Sequence, residues 1–304
     1  MTHAVQGLAI HNAPLLKERT SIRLGGSAIA EIRVDSVRGL EQVPGTALRL
    51  GGRIEPFGAG TNIIALDQEL PLLLVTRVAW HEIRVMPCVM GGEADRMLLK
   101  VDAAQKLSVL LAKAASLGLG GLEGLTGIPG SVGGAAVMNA GSYGVSIGNL
   151  VHSVEVFSPV LGLRDLPATD FVFSYRSCRW VGHEGWFLIT GVTLALPKSE
   201  RSLIRERMRG VYAQKRASQP VTARSAGCVF KNPAPESPAG RLLEQAGLKG
   251  MSRGGMRFSA VHANFLINEG TGGSTDAMYL IELAKDRVYR ESGYLLETEV
   301  RVWP

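Results

Sequence analysis

The stretch Gly118-Leu-Gly-Gly-Leu-Glu-Gly-Leu-Thr-Gly-Ile-Pro-Gly-Ser-Val-Gly-Gly-Ala-Ala-Val-Met-Asn-Ala-Gly-Ser-Tyr-Gly144 decides how the rest of the chain is read. Glycines this frequent, set among small residues, describe backbone that turns tightly and lets another molecule approach its N–H groups, which is how proteins hold phosphate. Turns, bulges and helix caps also need glycine, so one such loop does not name a ligand. A second one, Phe57-Gly-Ala-Gly-Thr-Asn-Ile-Ile64, lies upstream. Two in one chain point to a large phosphorylated cofactor. Neither has the form of the common nucleotide signatures: a P-loop needs Lys-Ser/Thr after its last glycine, and a dinucleotide fingerprint needs Gly-x-Gly-x-x-Gly opening a helix. Here Gly58-x-Gly60 runs into Thr61-Asn62 and two isoleucines, and Gly127-Ile-Pro-Gly-Ser-Val-Gly-Gly134 carries a proline. The binding mode is a different one.

Outward from these loops, 304 residues with 46% hydrophobic and 20% charged content suffice for two or three domains with cores of their own. The formal charge of +6 comes without a block of Lys and Arg interleaved with aromatics. That speaks against a nucleic-acid partner and suits a small anionic ligand. Cys88, Cys178 and Cys228 are odd in number and far apart, so neither a disulfide framework nor a metal site is expected, and a reducing compartment is. The N-terminus lacks the order of a signal peptide and no run reaches the length of a membrane span, which predicts a cytoplasmic protein without a membrane partner. The oligomeric state is left open, a monomer included.

Taken in order, a loop and a Gly-Gly turn lead into a strand ending at Val34. Strands are then expected at Ala47 to Leu50 and Leu72 to Val78, flanking the Gly58 loop, and at Ile83 to Met86 and Met97 to Val101. Leu107, Leu110, Leu111 and Ala114 share one helical face, and Gly118 can stop that helix. Strands and turns fill Val151 to Leu196; a charged helix follows from about Ser199 to Ala217. Helices are expected near Ala239 to Ala246 and from Ser274 or Thr275 to Gly293. The closing strand from Leu296 to Trp303 is read as alternating, with Glu297 and Glu299 on one face. The division expected is 1–78 and 79–198 as two lobes and 199–304 as a C-terminal domain.

The string Gly121 to Gly144 closely resembles the UDP-N-acetylenolpyruvoylglucosamine reductase (UDP-N-acetylmuramate dehydrogenase) family, flavoenzymes of bacterial peptidoglycan synthesis. The resemblance implies an α+β protein: an FAD-binding domain of the PCMH/vanillyl-alcohol-oxidase type in two lobes, and a C-terminal α/β substrate domain. It runs from about Leu15 to Trp303 in five separated motifs. The stretch leading to Gly25-Gly26 is similar to the family's Asn-Thr-x-x-x-Gly-Gly, with Arg19 and not Asn before Thr20. Tyr175-Arg176-Ser-Cys178 resembles the family's Tyr-Arg-x-Ser, with cysteine for serine. Ser225-Ala-Gly-Cys-Val-Phe-Lys-Asn-Pro233 is similar to a motif whose second serine is the general acid and is Cys228 here. The Glu-Val-Arg near the C-terminus maps onto Glu299.

The resemblance implies noncovalent FAD, held by Gly58, Ala59, Gly60, Thr61 and Asn62, by Gly127, Ile128, Pro129, Gly130, Ser131, Gly133 and Gly134, and by Asn139, Ala140 and Gly141. NADPH reduces it and gives way to UDP-N-acetylglucosamine enolpyruvate. Tyr175, Lys215, Arg216, Lys231 and Asn232 are candidate substrate contacts. Arg176 offers a planar, bidentate donor for the substrate carboxylate, and Glu299 stabilises the enolate-like intermediate with it. Cys228 protonates C2; a thiol is a far stronger acid than a hydroxyl, so the cysteine preserves proton donation. His262 is read as a hydrogen-bonded structural histidine. The competing readings are a flavin oxidase or dehydrogenase of the same superfamily on another substrate, and a non-catalytic flavin or UDP-sugar binder.

Overall fold

The computed structural model describes residues 2–5, 7–87 and 95–304. Cys88 lies outside them. By its contacts the chain forms two compact units. The first comprises Met1–Asn12, Ala30–Gly58 and Leu72–Gln214, and the second Ala13–Ile29, Ala59–Pro71 and Lys215–Pro304.

The first unit holds two five-stranded sheets. One runs Thr2–Val5, Leu8–Asn12, Ala28–Val34, Leu70–Arg77 and Arg53–Pro56 across its width, with residues 30–34 and 72–77 of the middle strands in this unit. The helix Val37–Leu50 buries Leu40, Val43 and Ala47 against Ala30, Ile32, Val34, Leu73 and Val75. Ser36 caps it, its Oγ accepting from the Gly39 N–H at 3.2 Å. Ala47 to Leu50 is therefore the last turn of a helix and not the expected strand. Those four residues are mostly apolar when read alone, but Ala47 continues a helical stripe begun at Leu40, and Leu48 turns outward with 87% of its surface exposed. The strand that leads to Gly58 is Arg53–Pro56, parallel to Leu70–Arg77.

The other sheet is antiparallel throughout, in the order Gly162–Pro167, Val151–Ser158, Leu188–Pro197, Arg96–Asp102, Arg84–Pro87. The helix Leu107–Leu117 packs Leu107, Leu110, Leu111 and Ala114 into the same core as Leu99, Val101, Val154 and Val192, and Gly118 ends it at φ 71°. The short helix Val132–Val137 adds Val132, Ala135 and Ala136 to that core. Arg77 and Asp102 form a buried pair whose side chains are 4% and 0% exposed. The Asp102 carboxylate accepts two bonds from the guanidinium and one each from the N–H groups of Trp80 and Ala104.

The second unit carries an antiparallel sheet of Ser225–Cys228, Phe265–Asn268, Met256–Phe258 and Ser252–Arg253 with the helices Ala239–Gln245 and Ser274–Ser292. Its core joins Phe230, Leu243, Phe258, Leu280 and Ile281 to Ile22, Leu24 and Ile64 from early in the chain. Arg301–Trp303 pairs in parallel with Ile63–Ala65. The expected strand from Leu296 is thus ordered as a strand only at its end. The N–H groups of Glu299 and Val300 both reach the Val229 carbonyl, at 2.7 and 3.4 Å. Two residues opposing one make a bulge, and the alternation breaks there. Glu297 and Glu299 accordingly occupy different surroundings: Glu297 is exposed and ion-paired with Lys231 at 3.1 Å, whereas Glu299 is half-buried.

Candidate active site

In the first unit the main glycine-rich stretch folds as a chain of turns. Gly118, Gly121, Gly127 and Gly130 all have positive φ, the last at 127°, where a side chain is strained. Leu107 donates its N–H to the Gly130 carbonyl at 2.9 Å, and Gly133 donates to Ala103 at 2.9 Å, so the loop is tied to the strand and helix beside it. A Cβ on Gly133 would come within 2.9 Å of the Ala103 methyl. Ser131 caps Val132–Val137 by accepting from the Gly134 N–H, and a Cβ on Gly58 would meet its Oγ at 2.8 Å. Gly58, Gly127, Pro129 and Gly134 stay exposed. Gly58 and Gly134 thus bring bare backbone to either side of the Ser131 hydroxyl, where a Cβ on either would crowd it. The residues fit the pyrophosphate of a dinucleotide cofactor such as FAD.

Arg176 occupies the second position of a two-residue turn between the strands Phe171–Ser174 and Ser177–Trp180. Its φ is 55°, a conformation that costs a non-glycine residue on the order of 1–3 kcal/mol and is kept where the surroundings impose it. The guanidinium Nη1 donates to the Gly141 carbonyl at 2.9 Å. Tyr175, the other turn residue, is 52% exposed. Cys178, in the place of the family's serine, is half-buried against the core, and burial pushes its thiol up to about 11. It is an apolar filler with an inert sulfur.

In the second unit Cys228 ends the strand Ser225–Cys228, paired to Phe265. The residues after it are clamped from both sides. Asn264 accepts from the Phe230 N–H at 2.9 Å and donates to the Phe230 carbonyl at 2.8 Å, while Lys231 and Glu299 donate their N–H groups to Glu297 and Val229. Asn62, at the end of the upstream glycine loop, donates from Nδ2 to the Glu299 carbonyl at 3.2 Å and accepts from the Arg301 N–H at 3.0 Å. Cys228, Glu299 and Asn62 thus belong to one hydrogen-bonded neighbourhood assembled from three distant stretches. Gly60, at φ 65°, is held there through its carbonyl by the Ser21 N–H at 3.0 Å.

Among the remaining candidates, Lys215 is buried, 3% exposed, whereas Arg216 is exposed. Lys231 pairs with Glu297, and Asn232 accepts from the Ala239 N–H at 3.0 Å, starting the helix Ala239–Gln245. His262 Nδ1 accepts from the Asn264 N–H at 3.2 Å, and its pKa is lowered, first by burial and then by Lys249. It is hydrogen-bonded, as read from the sequence, and it steadies the asparagine that holds Phe230. Asn264 itself was not legible as part of the site; its only signal is its place two residues after that histidine.

Residues 219–303 match the family model described as the C-terminal domain of UDP-N-acetylenolpyruvoylglucosamine reductase, and residues 29–160 match that of an FAD binding domain. The UDP-N-acetylenolpyruvoylglucosamine reductases of Nitratidesulfovibrio vulgaris and Oleidesulfovibrio alaskensis are 48% and 45% identical to the chain, each over 97% of it and 98% of theirs. The chain belongs to the UDP-N-acetylenolpyruvoylglucosamine reductase family. The crystal structure of the reductase from Thermus caldophilus superposes on it with a TM-score of 0.80 at 31% identity, covering 98% of this chain and all of that one. The chain has the expected α+β fold, with an FAD-binding domain and a C-terminal domain of the reductase family. Among the described residues no helix is long and apolar enough to cross a membrane.

Proposed function

We propose that this chain reduces UDP-N-acetylglucosamine enolpyruvate to UDP-N-acetylmuramate with NADPH, as a flavoenzyme of peptidoglycan precursor synthesis working in the cytoplasm. The observation that carries the reading is the relationship at 48% identity over nearly the whole of both chains. FAD, when bound, would supply the redox chemistry that links NADPH to the enolpyruvyl double bond. The exposed backbone at Gly58, Gly127 and Gly134 would hold its pyrophosphate, where N–H groups meet negative charge.

The protein's own side chains handle charge and protons. Arg176, already oriented by the Gly141 carbonyl, pairs with the substrate carboxylate. When C3 of the enolpyruvyl group is reduced, charge develops toward that carboxylate; Arg176 and Glu299 stabilise it by pairing and hydrogen bonding. Cys228 then gives its S–H proton to C2 and is left as a thiolate that solvent reprotonates. Tyr175, Lys215, Arg216, Lys231 and Asn232 are the proposed contacts to the rest of the substrate.

Anaerobic stopped-flow absorbance tests the proposal. The holoenzyme should bleach with NADPH alone and regain its yellow colour on addition of UDP-N-acetylglucosamine enolpyruvate. A protein that binds no FAD, or a reduced flavin that this sugar nucleotide cannot reoxidise, refutes it.

A further inference from the structure

Asn139 lies in the glycine-rich stretch and was expected to contact the cofactor, yet its side chain is committed elsewhere. It is 8% exposed. Its Nδ2 donates to the Ser174 carbonyl at 2.8 Å, and its Oδ1 accepts from Ser146 Oγ at 2.5 Å and from the Gly148 N–H at 2.9 Å. An amide side chain has two donor hydrogens and two acceptor positions. Three of the four are spent within the protein. The neighbourhood is built around this residue: a Cβ on Gly148 would come within 2.7 Å of Oδ1. The backbone φ of 38° at Asn139 is one that asparagine tolerates better than most residues.

Ser174 is the residue immediately before the Tyr175–Arg176 turn, and Gly141, which accepts from Arg176 Nη1 at 2.9 Å, lies two residues after Asn139. The segment 139–141 therefore grips the turn twice: the backbone entering it through the asparagine amide, and the guanidinium through a glycine carbonyl. A left-handed arginine persists only if its surroundings hold it. We propose that Asn139 is a positioning residue that fixes the Arg176 turn, so that the guanidinium meets the substrate carboxylate in a set direction. This rests on the reading of Arg176 as the carboxylate-binding residue. It makes the loop's glycines responsible for the cofactor and the loop's asparagine responsible for the substrate.

The test uses the holoenzyme and two variants that tolerate the left-handed backbone. Asn139→Asp keeps the acceptor and removes the donor facing Ser174; Asn139→Gly removes the side chain. Both should retain FAD and reduction by NADPH within about twofold, raise KM for UDP-N-acetylglucosamine enolpyruvate, and slow flavin reoxidation by up to about a hundredfold, the scale of a misplaced contact. Ser146→Ala touches only the acceptor side and should change reoxidation far less. In an Arg176→Ala background the Asn139 substitutions should add less than about twofold, because the two residues act as one unit. Loss of FAD, equal slowing of both half-reactions, an equal effect of Ser146→Ala, or a full penalty on top of Arg176→Ala would each overturn the proposal. Unimpaired reoxidation in Arg176→Ala alone would instead remove the reading of Arg176 beneath it. Should Asn139→Gly fail to fold, Asn139→Asp and the cycle still decide.

Discussion

Cys228 and Cys178 show how differently one residue type is used. Cys228 sits at the end of the strand Ser225–Cys228, and the role proposed for it belongs to the second half-reaction. Cys228→Ala should leave reduction by NADPH intact and slow reoxidation by the enolpyruvyl sugar by orders of magnitude, while Cys228→Ser should keep substantial turnover; stopped-flow traces of the two half-reactions distinguish these outcomes. Cys178 has no such role. An unfolded thiol titrates near 8.5, whereas the folded one is pushed up to about 11, so the native state holds its proton where the unfolded state has lost it. Stability present below pH of about 8.5 is therefore lost as pH rises toward 11, and Cys178→Ser should flatten that loss in denaturant titrations across the window. The sequence could not distinguish these two environments, because burial depends on partners such as Phe171 and Trp180 that the topology supplies.

At the scale of elements, the glycine-rich stretches work through conformation as much as through space. Gly130 at φ 127° and Gly133 against Ala103 tolerate no side chain for two separate reasons, strain and collision. Gly130→Val should lower the FAD content of the purified protein and raise the Kd for added FAD, with the helix Leu107–Leu117 disturbed through its bond to the Gly130 carbonyl; fluorescence quenching of FAD measures the first and circular dichroism the second. Much at this scale was legible. The helix ending at Gly118 follows from Leu107, Leu110, Leu111 and Ala114, and the helix from Ser274 to Gly293 from its apolar face, since period and cap lie within one window. What was illegible depends on what lies opposite. The bulge at Glu299 is set by a single carbonyl on Val229, and the helical identity of Ala47 to Leu50 by a stripe reaching back ten residues to Leu40 and the cap at Ser36. Arg176, Cys228 and Glu299 stand out as motif positions, and Asn62 and Asn139 as loop residues expected at the cofactor; that the two amides hold Glu299 and Ser174 was not legible, because those hydrogen bonds span 237 and 35 residues.

For the molecule as a whole, the first unit depends on charge placed where no water reaches. Arg77 and Asp102 join two strands from different sheets, and the arginine's pKa is lowered because burial outweighs the attraction of its partner. Removing the carboxylate leaves a buried guanidinium without its ion-pair partner. Asp102→Ala should cost about 3–5 kcal/mol of unfolding free energy, measured by urea titration, and far more than loss of a surface pair such as Lys285–Glu282. Nothing in the local sequence around Asp102 announces this, because its partner lies 25 residues away and its other donors are backbone.

The second unit draws Ile22, Leu24 and Ile64 into its core and places Ile63–Ala65 beside Arg301–Trp303. Synthesis runs from one end to the other. When those early residues leave the ribosome their partners do not yet exist, and the strand Ile63–Ala65 must wait for Arg301–Trp303, far along the chain, before it has its neighbour. The second unit can therefore close only after Arg301–Trp303 has been made, whatever the first has done by then. Its early segments must spend that interval without their final partners, a long-range closure that slows folding and leaves apolar chain open to chaperones.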